Sequence, residues 1–389
     1  MIDGITLHGG DCRDVLPKLE ENSIDSCVTD PPYGLSFMGR GWDHGVPGVE
    51  FWREVYRVLK PGAHLVAFGG TRTYHRMACA IEDAGFEIRD SLMWVYGQGF
   101  PKSHDVSKGI DKAAGAERTE VIGKSARHGG GLVGNGTSYE ISPEVPDITA
   151  PATDAAREWQ GWGTALKPAF EPIVLARKPL SESTVAANVL RWRTGALNID
   201  GCRIAGETPV FSYSGGKSAG VFGDGLQGSA RTGDVSTAGR WPANVCHDGS
   251  DEVVAAFPNA GPSFVAKPCT SDAMRSGYGG GLNAHRPPRG YNDNGGSAAR
   301  FFYSAKASKA DRAGSKHPTV KPISLMQWLC RLITPPGGTI LDPFAGSGTT
   351  GAAAAREGLR AVLIEREAEY QQDIRNRFAS SADLLEAAE

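Results

Sequence analysis

Asp30-Pro31-Pro32-Tyr33 follows directly on Ser23-Ile24-Asp25-Ser26-Cys27-Val28-Thr29, and this stretch decides the fold. The run before the tetrapeptide is short and β-prone, so Asp30 falls at the carboxyl end of a strand. In open α/β sheets, ligands bind beyond that end. Both prolines fix φ and lack an N–H, which keeps the carbonyls of Asp30 and Pro31 out of a helix and free to point outward. A rigid acceptor pair of this kind suits an exocyclic amino group on a flat heterocycle. Two acceptors take its two N–H bonds and leave the nitrogen lone pair open to an electrophile, while Tyr33 is available to stack on the ring. The alternative is a plain Pro-Pro turn with a capping aspartate.

Upstream, Ile5-Thr6-Leu7-His8 reads as a strand ending at the acidic turn Gly9-Gly10-Asp11-Cys12, with a helix starting at Val15. Downstream, the glycine-rich stretch from Gly34 to Gly48 carries Phe37, Arg40, Trp42, Asp43 and His44, which suits a flap over a ligand or an ordinary surface loop. Phe51, Trp52, Val55, Tyr56, Val58 and Leu59 recur at helical spacing until Lys60-Pro61-Gly62. Ala63 to Phe68 is the next strand, 71–84 a helix closed by Gly85, and Ile88 to Tyr96 another strand. This alternation predicts a doubly wound, mostly parallel sheet with helices on both faces.

From Gly97 to about Ser315 the periodicity dissolves. Residues 201–300 hold 19 glycines, against about 7 per hundred in average usage, and Gly129-Gly130-Gly131 and Gly279-Gly280-Gly281 read as loops. Phe170 to Pro179 is one ordered stretch, a strand, followed by a helix from Thr184 to Arg193. Between Arg177 and Lys321 there are 18 lysines and arginines against 11 acidic residues, whereas the whole chain carries a net charge of -3. A basic, loop-rich insertion suits a polyanion, or equally a solvated and variable surface. Regular pattern resumes with a helix over Pro322 to Leu332 and a strand at Thr339-Ile340-Leu341. A helix beginning at Ala352, a strand over Ala361 to Ile364 and a helical tail from Glu367 complete the chain.

The bulk properties narrow the class. The chain has 389 residues, long enough for two or three domains or for one α/β domain with a large insertion, and its 40% hydrophobic content suffices for a core. No apolar run reaches the length of a membrane span and the first residues form no basic, apolar leader, so a cytoplasmic protein is expected. Seven scattered cysteines without a CxxC pair predict reduced thiols, with no zinc knuckle and no metal site.

Gly346-Ser347-Gly348-Thr349-Thr350-Gly351 fits GxGxxG between a strand and a helix, with Glu365 at the next strand's tip where an acid can hold ribose hydroxyls. A nicotinamide-dependent oxidoreductase therefore competes, although it leaves Asp30–Tyr33 unexplained. The preceding Asp342-Pro343-Phe344 favours a cofactor bearing an ammonium and a carboxylate over one bearing a pyrophosphate.

Together these residues carry a family resemblance. Asp30-Pro31-Pro32-Tyr33 resembles the catalytic motif of amino-group DNA methyltransferases, and Asp342-Pro343-Phe344-Ala345-Gly346-Ser347-Gly348 resembles their S-adenosylmethionine loop. His317-Pro318-Thr319-Val320-Lys321-Pro322 is similar to the segment leading into that loop, and Gly10-Asp11-Cys12 to the one before the catalytic strand. The order, catalytic motif first and cofactor loop last, is that of the β class, a circularly permuted Rossmann-like methyltransferase sheet. Glu171 to Pro179 and Ala299-Arg300-Phe301-Phe302-Tyr303 resemble phage and prophage members.

The resemblance implies a catalytic half over 1–99, a target-recognition insertion over 100–315 and a cofactor-binding half over 316–389. It implies that Asp30 and the Pro31 carbonyl hold the target amino group, with Pro32 stiffening the turn and Tyr33 stacked on the base. Asp342, Pro343, Phe344, Ala345, Gly346, Ser347, Gly348 and Thr349 would line the cofactor, Glu365 its ribose, Asp11 its adenine and Lys321 its carboxylate. The partner would be double-stranded DNA, the product S-adenosylhomocysteine, and the setting restriction–modification or a prophage; homodimers are common in the family. An Asp-led tetrapeptide favours adenine N6, with cytosine N4 as the runner-up. A catalytically silent DNA-binding protein is the remaining alternative.

Overall fold

The computed structural model describes residues 4–34, 45–97, 99, 103–124, 132–133, 140–141, 147–205, 208–215, 229–236, 239–261, 295–305, 308, 310–315, 317 and 319–386. The loop residues Phe37, Arg40, Trp42, Asp43 and His44 and the two triple-glycine runs lie outside them. The chain forms two compact units, one of Met1–Gly97 with Phe170–Glu389 and one of Gln98–Ala169.

The larger unit is built on a nine-stranded sheet. Its strands are β1 (Ile5–Gly9), β2 (Ile24–Thr29), β3 (Leu59–Phe68), β4 (Glu87–Val95), β5 (Phe170–Arg177), β6 (Val245–His247), β7 (Tyr303–Ser304), β8 (Thr339–Asp342) and β9 (Arg360–Glu365). Across the sheet they run β1-β9-β8-β2-β3-β5-β4-β6-β7. Every neighbouring pair is parallel except the two made by β5, which is antiparallel to both β3 and β4.

Successive residues along the inner strands alternate between two apolar layers, as period-2 geometry requires. Val28, Val66, Leu175 and Ile340 join the layer under α3 (Ile323–Ile333), α4 (Thr349–Arg356) and α5 (Ala368–Glu386). Cys27, Leu65, Val174 and Leu341 join the layer under α1 (Val49–Val58) and α2 (Tyr74–Asp83). Trp52 fills one layer and Trp328 the other, both nearly fully buried. The sheet is thus covered on both faces, as the strand–helix alternation predicts, and among the described residues no helix is long and apolar enough to cross a membrane.

The structure departs from the sequence reading at three places. The strand expected from Ala63 begins at Leu59 instead, so β3 takes in the helix breaker Lys60-Pro61-Gly62, with a register shift against β2 between Ile24 and Ser26. Gly62 adopts φ 82° there, a conformation that favours glycine, and its N–H donates to the carbonyls of Lys178 and Pro179. Phe170–Arg177, assigned by sequence to a 100–315 insertion, is an inner strand of the main sheet, and β6 and β7 extend that sheet from within the same segment.

The smaller unit has its own order. A helix over Val106–Ala113 is capped by Asp105, and a two-stranded ladder joins Val121–Lys124 to Asp147–Thr149. Buried Asp111 gathers it, accepting from Arg118 Nε at 2.6 Å, from the backbone N–H groups of Ala152 and Thr153, and from the Thr153 hydroxyl.

Candidate active site at the carboxyl edge of the sheet

Five neighbouring parallel strands, β1, β9, β8, β2 and β3, end at one edge, so their carboxyl-terminal residues form a row. In spatial order these are Gly9-Gly10-Asp11, Glu365, Asp342, Thr29-Asp30 and Phe68-Gly69. Four of the five ends carry an acid. Because β5 runs the other way, it is its beginning that reaches this edge: Ile173 pairs with Phe68, and Gly69 N–H donates to the Pro172 carbonyl at 2.9 Å. Glu171, one residue earlier, thereby comes level with the Asp30 tetrapeptide.

Asp30, Tyr33, Glu171 and Lys321 form a closed ring of polar contacts. The Tyr33 hydroxyl lies 2.7 Å from Asp30 Oδ1 and 3.1 Å from Glu171 Oε2. Lys321 Nζ donates to Asp30 Oδ2 at 2.7 Å and lies 3.2 Å from Glu171 Oε2 and 3.3 Å from the Tyr33 hydroxyl. The ammonium also sits 4.9 Å from the centre of the Phe68 ring. Burial alone would pull the Lys321 pKa down, but the two carboxylates outweigh it and hold the ammonium above its usual value. Burial, then the charges of Asp30 and Glu171, push the Tyr33 phenol well up, so Tyr33 keeps its proton. Thr73 fixes the turn by donating from its hydroxyl to the Tyr33 carbonyl at 2.7 Å, and Pro31 beneath it is buried.

The glycine loop is joined to this cluster through the strand ends. Asp342 Oδ1 accepts from the Thr29 hydroxyl at 2.8 Å and from Phe344 N–H at 3.1 Å, and its other oxygen accepts from the Thr350 hydroxyl. Burial raises its pKa to about 6 against the opposing pull of those three bonds. Glu365, raised to about 7 chiefly by burial, accepts from Gly346 N–H and Glu367 N–H, both at 2.8 Å. Gly348 stands at φ 78° at the start of α4, and a Cβ there would meet Ile374 Cγ1 at 3.0 Å.

Around these groups, Phe344 packs its ring 5.1 Å from that of Phe51, Ala345 N–H donates to the Ile364 carbonyl, and Thr349 is buried in the first turn of α4. Ser347 is buried and its carbonyl accepts from Arg377 Nε at 2.8 Å, so α5 clamps the loop from behind. Asp11 caps the turn Cys12–Val15 and is bound at both oxygens by Arg13, whose side-chain bonds hold its pKa down to about 2. Asp11 stays in the row because Gly10 N–H donates to the Glu365 carbonyl at 2.9 Å.

The structure therefore brings the tetrapeptide, Asp342, the glycine loop, Glu365 and Asp11 to one edge. Lys321, which the resemblance assigns to the donor's carboxylate, has its ammonium engaged by Asp30 and Glu171. Sequence reasoning gives no role to Glu171, Thr29, Thr350 or Arg377. Glu171 did leave a signal, as the one charged residue opening the apolar run Phe170–Ala176.

A doubly wound α/β sheet with an acid-lined carboxyl edge defines the class of protein. The chain belongs to the N6/N4 DNA methylase family, whose model matches residues 24–376. It is 26% identical over 242 residues to Type II methyltransferase M.HindIII of Haemophilus influenzae, a match covering 51% of this chain and 65% of that one. It is 45% identical over 70 residues to Type II methyltransferase M2.DpnII of Streptococcus pneumoniae, covering 18% and 26%. The chain thus spans less than two thirds of the length of these relatives. Among solved structures, the cytosine-N4-specific PvuII DNA methyltransferase aligns over 97% of this chain and 86% of its own, with 14% identity and a TM-score of 0.45.

Proposed function

We propose that this protein transfers a methyl group from S-adenosylmethionine to the exocyclic amino nitrogen of a base turned out of duplex DNA, with adenine N6 as the target. The observation carrying this reading is that Asp30 and Asp342 stand at the ends of adjacent strands, β2 and β8, and are linked by the Thr29–Asp342 hydrogen bond. A base held by the first and a methyl donor held by the loop after the second would meet at one edge.

The residues suit the donor. Each Glu365 oxygen accepts a single backbone N–H and keeps a lone pair for a ribose hydroxyl. Gly346 and Gly348, at φ 52° and 78°, turn the backbone where a side chain would be strained and let it approach a ligand closely. Asp11 is assigned to the adenine end, and Pro343 with Phe344 to Thr349 to the methionine end. When bound, the donor supplies a sulfonium methyl already activated by positive charge.

Asp30 and the Pro31 carbonyl accept the two amino N–H groups, and Tyr33 offers its ring to the base. Lys321 balances the charge of Asp30 rather than binding the donor. Turning the base out costs a few kcal/mol. Basic contacts from the insertion and stacking on Tyr33 offset that cost, and aligned near-attack geometry lowers the methyl-transfer barrier by on the order of 7–11 kcal/mol. The basic excess between Arg177 and Lys321 is assigned to DNA contacts, and the 98–169 unit to target recognition. The Asp-led tetrapeptide favours adenine; cytosine N4 is the second reading. Calorimetry tests the donor: tight binding of S-adenosylmethionine and none of NAD supports this function, and the reverse refutes it.

A further inference from the structure

The ring of Asp30, Tyr33, Glu171 and Lys321 contains more acceptors than the phenol can serve. Tyr33 has one hydroxyl proton, yet its oxygen lies within hydrogen-bond distance of two different carboxylates, at 2.7 and 3.1 Å. One of those contacts lacks a hydrogen at any moment. Nearby Lys321, shared between the same two carboxylates, makes that shortage tolerable without removing it. A single added proton on Asp30 would complete the chain: Asp30 donates to Tyr33, and Tyr33 donates to Glu171.

Methylation of an amino group releases one proton. The nitrogen–carbon bond forms as the donor's sulfur–carbon bond breaks, and the nitrogen begins to shed its extra proton in that same step, as positive charge develops on it. We propose that Glu171 receives this charge: the proton leaves the nitrogen for Asp30, Asp30 passes a proton to the Tyr33 oxygen, and the Tyr33 hydroxyl proton moves to Glu171. This rests on the function proposed above and adds a participant to it. The groups facing Glu171 fit the assignment. Lys321 is an ammonium held charged, so it does not compete for the proton, and Tyr33 retains its hydroxyl proton for relay. Tyr96, at the end of β4, also feels the charge of Glu171; its phenol is pushed up to about 12, mainly by burial, and stays neutral. The Glu171 side chain keeps 20% of its surface exposed, an exit to water once a base covers Asp30. With both carboxylates ionised, the ring carries one net negative charge, which also favours the positive charge arriving on the nitrogen.

The test uses the full chain with S-adenosylmethionine and duplex DNA. Glu171→Gln and Tyr33→Phe each slow single-turnover methyl transfer on the order of 100-fold, while the Kd for donor and for DNA stay at wild-type values. Because both act on one path, the double variant is no slower than either single variant, and Glu171→Asp recovers most of the rate. In protein without donor or DNA, a low-field hydroxyl proton resonance absent from Tyr33→Phe shifts in Glu171→Gln. A wild-type rate in Glu171→Gln, or losses that multiply in the double variant, overturns the relay while an inactive Asp30→Ala leaves the underlying function standing. A wild-type protein that methylates no DNA overturns both.

Discussion

The Thr29 hydroxyl donates to Asp342 Oδ1 across 2.8 Å, joining the strand that leads into Asp30 to the loop that leads into Gly346. Both groups are buried, and the Thr350 hydroxyl and Phe344 N–H complete the aspartate's partners. Two motifs more than three hundred residues apart are thereby held in fixed relation.

Thr29→Val keeps the shape and removes the donor. A buried acceptor left short of a partner costs about 1–3 kcal/mol, so denaturant unfolding should detect that loss. Methyl transfer should fall further than donor binding does, because the relation between the two motifs loosens while each stays intact. Equal falls in both would show that the bond serves stability alone.

Asp342 and Glu365 each add a pH-dependent contribution to stability. Their folded pKa values, about 6 and about 7, lie above the ordinary 3.8 and 4.5. The folded state therefore binds protons more tightly than the unfolded state between roughly pH 4 and 7. Stability from these two groups is present below about pH 4 and is lost as pH rises to 7. At roughly 1.4 kcal/mol per pKa unit, each contributes on the order of 3 kcal/mol. Melting temperatures of wild type and of Glu365→Gln across that window check this: the variant should gain on the wild type as pH rises, and an identical slope contradicts the assignment.

Lys321 is 5% exposed and holds two carboxylates together. Lys321→Met leaves them facing each other without a cation, a loss of about 3–5 kcal/mol for a broken buried pair. Denaturant unfolding measures that loss, and a wild-type midpoint in Lys321→Met would show that the ion pairs add nothing to stability.

Much of this arrangement is legible in the sequence because it is local. The alternation through Cys27-Val28 and Leu65-Val66 marks strands covered on both faces, and Asp342 to Gly348 is a contiguous loop that can be read without knowing its neighbours. What escapes is long-range pairing. Nothing within Phe170–Arg177 says that it enters between β3 and β4 in the opposite sense, so its separation in sequence assigns it to an insertion. Glu171 is missed for the same reason: its proximity to Asp30 follows from strand direction, not from any motif. β6 and β7, of three and two residues, are too short to show a period. Lys60-Pro61-Gly62 reads only as a helix stop because the partners of Gly62, the carbonyls of Lys178 and Pro179, lie more than a hundred residues away.

Nucleoside analysis of duplex DNA incubated with the purified chain and labelled S-adenosylmethionine tests the central claim most directly. The expected result is label in N6-methyladenine with the wild-type protein and none with Asp30→Ala, which should still bind the donor. Unlabelled DNA, or label undiminished by Asp30→Ala, would contradict a site in which Asp30 holds the accepting amino group.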